Sequence, residues 1–158
     1  MFNFFKGFYL VLIAIGNNLQ SLFLLAVRLY WGWQFFITGI GKFSNIEKIA
    51  DYFRSLHIPF PELNTYLTAS TETIGGMCLL LGLASRLVSI PLAFAMSVAL
   101  ATAHIDAVKT IFEDPQNFVS QPPFNFLLAA IIVFIFGPGK FSIDFLLERF
   151  AFKRKSEL

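Results

Sequence analysis

Two charged side chains lie inside apolar stretches of this chain, and they are the strongest candidates for chemistry. Glu72 stands within the apolar run 63–83, and Arg28 stands within a second run, 21–41. An ionised side chain at the depth of a bilayer costs at least about 2.5–3.5 kcal/mol, so each must find a partner, water or a proton. A carboxylate there can take up and release protons, and a guanidinium can stabilise a negatively charged oxygen.

Arg28 shares one helical face with two glycines and a second cation. Arg28, Gly32, Phe35, Gly39 and Lys42 follow one another at steps of four, three, four and three, which is helical spacing. Small residues let membrane helices approach closely, so the glycines indicate either a tight helix contact or room for a ligand. In the alternative interpretation, Arg28 extends to the lipid head groups and the face serves packing alone.

Glu72 is too deep in its span for its short side chain to reach water. It lies about nine residues, or about 14 Å, from the start of the span, so we expect it to be neutral, paired or beside a wet cavity. Gly75 and Gly76 follow one turn later and give the helix a smooth surface next to the carboxylate. We predict that Arg28 and Glu72 form a pair between two helices.

Two further polar residues are expected near the outer mouth of the molecule. His104 ends the third apolar stretch and Asn125 begins the fourth. His104 is either a proton-handling group or a plain residue at a helix end. The histidine, cysteine and carboxylate spacings fit no zinc, iron or haem site, so we expect no metal and no covalently bound cofactor.

The composition indicates an integral membrane protein. Hydrophobic residues make up 56% of the 158 residues and charged ones only 14%, against about 25% charged in soluble proteins. The net charge of +2 is spread along the chain, so nucleic-acid binding has no support. The length suits a single membrane domain, 1–158.

The apolar stretches predict an all-α fold, a four-helix bundle in the membrane. A span needs about 20 mostly apolar residues, and the four candidates are 21–41, 63–83, 87–104 and 120–137. The apolar stretch 8–15 is either a separate interfacial helix or a helical lead-in to the first span. Residues 141–152 are predicted to form an amphipathic helix on the membrane surface.

One connection also has helical character. Apolar residues recur at helical spacing over Asn45–Leu56, and Ser44 is positioned to cap the start of that helix. Pro59 and Pro61 then end it, because proline has no backbone N–H to donate.

Basic residues favour an orientation with both termini in the cytoplasm. With the termini inside, the inner side carries seven lysines and arginines and the outer side four, as the positive-inside rule requires. Both long connections, 43–62 and 105–123, then face outward.

The order of these residues resembles the DoxX family. The resemblance covers about 24–147 and rests on Arg28-Leu-Tyr-Trp-Gly32, Gly39-Ile-Gly-Lys42-Phe43, Glu72-Thr-Ile-Gly75-Gly76, Arg86, His104 and the segment Gly137-Pro-Gly-Lys140-Phe-Ser-Ile-Asp144. It implies a four-helix protein of the bacterial inner membrane, associated with membrane oxidoreductases, thiol and oxidative stress or quinone chemistry. A quinone is the non-covalent ligand it implies. The thiol link has no support here, because Cys78 is the only cysteine.

Three functions remain open at this point. The first is a redox-associated subunit, of the kind found in quinone-linked oxidoreductases, that holds a quinone or another small lipophilic molecule. Arg28, Lys42, Glu72 and His104 are then its binding or proton-handling residues. The second is a membrane scaffold or assembly protein in which Arg28–Glu72 is a structural pair. The third is a small proton-coupled transporter. Membrane lipid, a partner oxidoreductase subunit and a second copy of the chain are the expected partners.

Overall fold

The computed structural model describes the backbone of residues 2–155 and the side chains of residues 6–150, and this part of the chain is entirely helical. Its helices are α1 (Phe2–Phe43), α2 (Ile46–Ser55), α3 (Pro61–Leu81), α4 (Ser85–Thr102), α5 (Ile105–Lys109), α6 (Pro115–Ser120), α7 (Pro122–Phe136) and α8 (Ile143–Lys155). No strand occurs within residues 2–155, so the all-α prediction is confirmed there.

The first helix is longer than the sequence predicted. α1 is continuous over 42 residues, which corresponds to about 63 Å. The stretch 8–15 is therefore a helical lead-in, and the prediction of a separate N-terminal segment is wrong. The polar run 17–20 does not interrupt the helix, because it contains no proline and its side chains are exposed.

The other predicted spans correspond closely to α3, α4 and α7, and the predicted short helix is α2. The expected Ser44 cap is wrong, because the Ser44 hydroxyl donates to Ile40 O and so completes the last turn of α1. α3 begins directly at Pro61, the first-turn position that proline favours. The connection 105–123 contains two short helices, α5 and α6, that the sequence did not predict.

A glycine turn reverses the chain between α3 and α4. Gly82 has φ +68°, and the N–H of Leu83 donates to Cys78 O at 2.9 Å. These are features of the left-handed motif that commonly ends a helix. α3 and α4 are consequently antiparallel neighbours.

α1, α3, α4 and α7 surround a common core. α1 packs mainly on α3 and α4 mainly on α7, while α3 also contacts α4 and α1 contacts α7. The buried side chains between them are Phe35, Leu79, Leu92, Met96, Ala130 and Val133. α2 lies across α3 and buries Ala50.

The outward faces of these helices are apolar, as is typical of helices surrounded by lipid. Leu87, Phe94 and Ile74 are more than 60% exposed, which would be costly over such an area in water. By length and composition, two helices within the described residues can cross a membrane: α1, over Lys6–Phe43, and α4. α7 is apolar but shorter.

The last helix begins two residues later than predicted. The hydroxyl of Ser142 accepts the N–H of Phe145 at 3.1 Å, so it caps the helix start and α8 begins at Ile143. Beyond its first turn, α8 makes few contacts with the other helices.

Candidate functional site

The two ends of the helix assembly carry different charged groups. The Arg28 end contains Arg28, the turn between α3 and α4, and the connection from Gly137 to Ser142. The Lys42 end contains Lys42, α2, and the start of α3. Arg28 and Lys42 are 14 positions apart on α1, or about 21 Å along the helix axis.

Arg28 is the largest fully buried side chain among the described residues, with 1% of its surface exposed. Its Nη2 donates to the backbone carbonyl of Phe141. Its Nε and Nη1 have no hydrogen-bond partner within that part of the chain. The interpretation in which Arg28 extends to the lipid head groups is therefore wrong. Arg28 instead holds the connection that precedes α8.

Asp144 completes this arrangement from the first turn of α8. Its carboxylate accepts the N–H groups of Ala84 and Ser85, at 2.7 and 2.9 Å, at the start of α4. Its own N–H donates to Gly82 O at 2.9 Å, and its charge acts on Arg28. One carboxylate thus caps α4 and joins α8 to the turn that follows α3.

The predicted pair of Arg28 with Glu72 is wrong. α1 and α3 run antiparallel, with Gly32 next to Gly76 and Gly39 next to Thr73. In this register Arg28 lies beside Gly82. Gly82 directly follows α3 and is ten residues beyond Glu72, or about 15 Å along the helix axis.

Glu72 instead pairs with Lys42. The Lys42 ammonium donates to Glu72 Oε2 and forms a salt bridge with it. The carboxylate is 3% exposed and the lysine side chain 23% exposed. A buried carboxylate is therefore neutralised by a cation that still reaches the surface at the end of α1.

The glycines close the contact between helices rather than leave room for a ligand. A Cβ on Gly76 would lie 2.5 Å from the backbone nitrogen of Phe36, and one on Gly39 would lie 2.5 Å from that of Thr73. A Cβ on Gly32 would lie 3.0 Å from Gly76 O, and one on Gly75 would lie 2.9 Å from Leu92. Gly32, Gly39 and Gly76 thus form the α1–α3 contact, and Gly75 the contact of α3 with α4.

One polar atom beside the ion pair has no partner. The Thr73 hydroxyl is buried and makes no hydrogen bond within the described residues. It directly follows Glu72 in sequence and faces Gly39. An ammonium, a carboxylate and a hydroxyl are therefore gathered at the Lys42 end.

His104 and Asn125 are placed near the connections but are not joined to this group. His104 precedes the first turn of α5 and is half-buried. Asn125 donates to Val119 O at 3.3 Å and so holds α6 against α7. Neither makes a side-chain hydrogen bond to Lys42 or Glu72 in the described part of the chain.

The role of Asp144 was missed by sequence reasoning. Its signal was present, because Asp144 ends the Gly137-Pro-Gly-Lys140-Phe-Ser-Ile-Asp144 segment. A carboxylate two residues after a serine cap is a common helix start, however, and nothing local indicates a partner 60 residues earlier.

A model of the DoxX family matches residues 23–105, a little over half of the chain. The chain belongs to the DoxX family. The matched range runs from α1 to the start of α5 and includes Arg28, Lys42, Glu72 and His104. DoxX proteins are membrane-associated, in agreement with the two apolar helices α1 and α4.

Two relatives of this DoxX protein cover most of its length. "Putative oxidoreductase CatD" of Bacillus subtilis strain 168 is 29% identical over 83% of this chain and 88% of its own. An "Uncharacterized protein" of Haemophilus influenzae Rd is 24% identical over 86% of this chain and 88% of its own. No solved structure matches the chain.

Proposed function

We propose that this DoxX protein is a redox-associated membrane subunit that binds a quinone or another small lipophilic molecule at the Lys42–Glu72 pair. The observation that carries the proposal is the burial of Glu72 against a lysine that remains partly exposed. In this proposal α1, α3, α4 and α7 form a four-helix bundle in the bacterial inner membrane, with both termini in the cytoplasm. The name of the Bacillus relative supports the redox assignment.

The groups at the Lys42 end fit the polar edge of a quinone. The ring carbonyls of a quinone accept hydrogen bonds, and the ammonium of the partly exposed Lys42 side chain is a donor at the surface of this end. The exposed aromatic rings of Phe43 and Tyr66, whose centroids are 6.5 Å apart, offer an apolar surface nearby. A bound quinone would supply the electron-accepting chemistry, and a partner oxidoreductase subunit would deliver the electrons.

Each residue then has a distinct task. Glu72 takes up or gives a proton at its Oε2, because it is the buried acid closest to the lysine. Lys42 stabilises negative charge on a ligand oxygen and donates a hydrogen bond to Glu72 Oε2. The closed α1–α3 contact fixes the distance between them and keeps water away from the carboxylate.

Glu72→Gln tests this proposal, because it keeps the shape of the side chain and removes its proton chemistry. The full-length protein in lipid nanodiscs is titrated with decylubiquinone, and bound quinone is measured after extraction. We expect at least about a tenfold loss of affinity, because the variant no longer holds the Lys42 ammonium where it donates to the quinone, and the loss of a hydrogen bond from a charged group costs about 1.5–3 kcal/mol. Glu62→Gln, on the exposed start of the same helix, is the matched control and should bind as the wild type does.

A membrane scaffold is the second candidate, and the glycine contacts favour it. Those contacts bring the helix backbones together, so the Lys42–Glu72 salt bridge would serve only to stabilise the packing of α1 on α3. With this purely structural role, Glu72→Gln should lower the melting temperature and leave quinone binding unchanged. Wild-type protein that retains no quinone from its host membrane and binds none in titration would overturn the first proposal.

A further inference from the structure

A separate cleft opens at the Arg28 end, far from the proposed quinone site. It has a volume of about 740 Å³ and lies between α1, the start of α4 and the connection that leads into α8. A volume of this size is within the range of about 300–1,000 Å³ that small-molecule sites occupy.

The walls of the cleft divide into a cationic part and an apolar part. Arg86 and Lys140 line it together with the amides of Asn17 and Gln20. Leu87 and Phe136, which are 69% and 55% exposed, form an apolar side that continues onto the outer surface of α4 and α7. Polar and apolar walls side by side match a molecule with a charged head and a hydrocarbon body.

The cations of the cleft are not neutralised by the carboxylate beside them. Within the described residues neither Arg86 nor Lys140 forms a salt bridge. Arg86 makes only a 3.4 Å hydrogen bond, from Nη2 to Ile135 O, and its guanidinium is held near Gly137. Asp144 also lines the cleft, but both of its oxygens accept backbone N–H groups.

A third cation lies behind the floor of the cleft. Leu24 lines the floor, and the fully buried Arg28 follows one helical turn later. Glu148, at the rim on α8, is the remaining carboxylate of the lining. The cleft therefore has three cations and two carboxylates in or next to its walls, and one of the carboxylates is already bound by backbone amides. This excess of positive charge attracts an anion.

We propose that this cleft binds the phosphate head group of an anionic phospholipid, with Arg86 and Lys140 holding the phosphate and Leu87 and Phe136 contacting an acyl chain. Guanidinium groups bind phosphate in two-point geometry, and lysine adds a point charge. The site is independent of the proposed quinone site, which lies at the other end of α1.

The lipid preference is tested with full-length protein in detergent. Dioleoylphosphatidylglycerol and dioleoylphosphatidylcholine are titrated separately, and bound lipid is measured by native mass spectrometry. We expect phosphatidylglycerol to bind more tightly. Each cation near a lipid surface contributes about a fivefold change in affinity, so Lys140→Gln should weaken phosphatidylglycerol binding about fivefold and Arg86→Gln with Lys140→Gln about 25-fold.

Two controls make the result decisive. Lys109→Gln removes an exposed lysine at the opposite end and should leave binding unchanged. Glu72→Gln should also leave it unchanged, which separates this site from the quinone proposal. Lys140 is exposed, so Lys140→Gln is expected to fold even where the Arg86 variant does not.

Three results would overturn the proposal. Equal binding of phosphatidylglycerol by wild type and the Lys140 variant would show that Lys140 does not contribute to a cationic site. Equal binding of the two lipids would show that the cleft has no preference for an anionic head group. Inorganic phosphate is the third probe, and full displacement of phosphatidylglycerol by phosphate would show a site for a free anion instead of a lipid.

Discussion

The buried guanidinium of Arg28 organises the Arg28 end by binding backbone rather than a carboxylate side chain. Its Nη2 holds the carbonyl of Phe141, which lies 113 positions away in sequence. A buried carbonyl left without a donor costs about 1–3 kcal/mol. Arg28 therefore stabilises the connection that positions α8 and that forms one wall of the cleft.

Arg28→Met should release this connection while preserving most of the side-chain volume. We expect trypsin to cleave after Lys140 at least about tenfold faster, because the Phe141 carbonyl loses its donor. Cleavage is followed by mass spectrometry of the protein in detergent. Arg54→Met, which removes an exposed arginine at the other end, is the control; an unchanged rate at Lys140 in the Arg28 variant would contradict the assignment.

Gly82 is required for two reasons that act together. Its φ of +68° costs other residues about 1–2 kcal/mol, and a Cβ there would collide with Arg28 Nη1 and lie 2.6 Å from Ser142 Cβ. We expect Gly82→Ala to lower the free energy of unfolding by about 2–5 kcal/mol.

The matched control for Gly82→Ala is Gly16→Ala, where a Cβ would have no atom within 4 Å. Alanine in the open part of a helix stabilises it by about 0.5–1 kcal/mol. Both variants are compared by denaturation in detergent, followed by circular dichroism. Equal stability of the two variants would show that Gly82 is replaceable.

At the residue scale, the sequence identified which side chains are unusual but not which atoms they bind. Arg28, Lys42 and Glu72 were all selected from their types and positions. The pairing was wrong because the register of two helices depends on backbone contacts, here those of Gly32, Gly39 and Gly76. The partner of Arg28 is a main-chain carbonyl, for which a sequence carries no signal.

At the element scale, the α1–α3 contact is the feature on which the Lys42–Glu72 pair depends. In lipid there is no hydrophobic force to bring helices together, so packing of small residues has to do so. Gly76 contacts the backbones of Phe36 and Gly32. These two backbone segments cannot move away from Gly76 unless the whole of α1 is displaced.

Gly76→Ala should therefore separate α1 from α3. We expect a loss of about 1–3 kcal/mol of stability from overpacking and a weakened Lys42–Glu72 bridge. Melting temperature and decylubiquinone binding are measured together. Gly41→Ala is the control on the exposed side of α1, where a Cβ meets no atom within 4 Å; a Gly76 variant that melts at the same temperature as this control would rule out the contact.

The helices themselves were largely predictable, because the length of an apolar stretch and the prolines or glycines at its ends are signals in the local sequence. α3, α4 and α7 begin and end within a few residues of the predicted spans. The length of α1 was underestimated, because the Asn17-Asn18 pair indicates a break in the apolar stretch. The backbone hydrogen bonds of a helix do not require apolar side chains, so the helix continues through this pair. The short helices α5 and α6 are too small for a periodic signal to define.

At the scale of the whole molecule, the distribution of cations predicts how the protein is oriented in the membrane. Seven lysines and arginines belong to the termini and turns on the side of the Arg28 end, where the proposed lipid cleft also lies, and four belong to the Lys42 end: Lys42, Lys48, Arg54 and Lys109. The positive-inside rule predicts that the richer end lies in the cytoplasm. The proposed quinone site would then be near the outer surface and the anionic lipid site in the inner leaflet.

Cysteine labelling in right-side-out membrane vesicles tests this arrangement. In a Cys78→Ala background, Lys109→Cys and Lys140→Cys each place one thiol at an exposed position. A membrane-impermeant maleimide should label the Lys109 variant at once and the Lys140 variant only after the vesicles are lysed. The reverse order would mean that the termini face outward. Labelling of both variants before lysis would mean that α7 does not cross the membrane, since α7 is the only helix of the proposed bundle between the two positions.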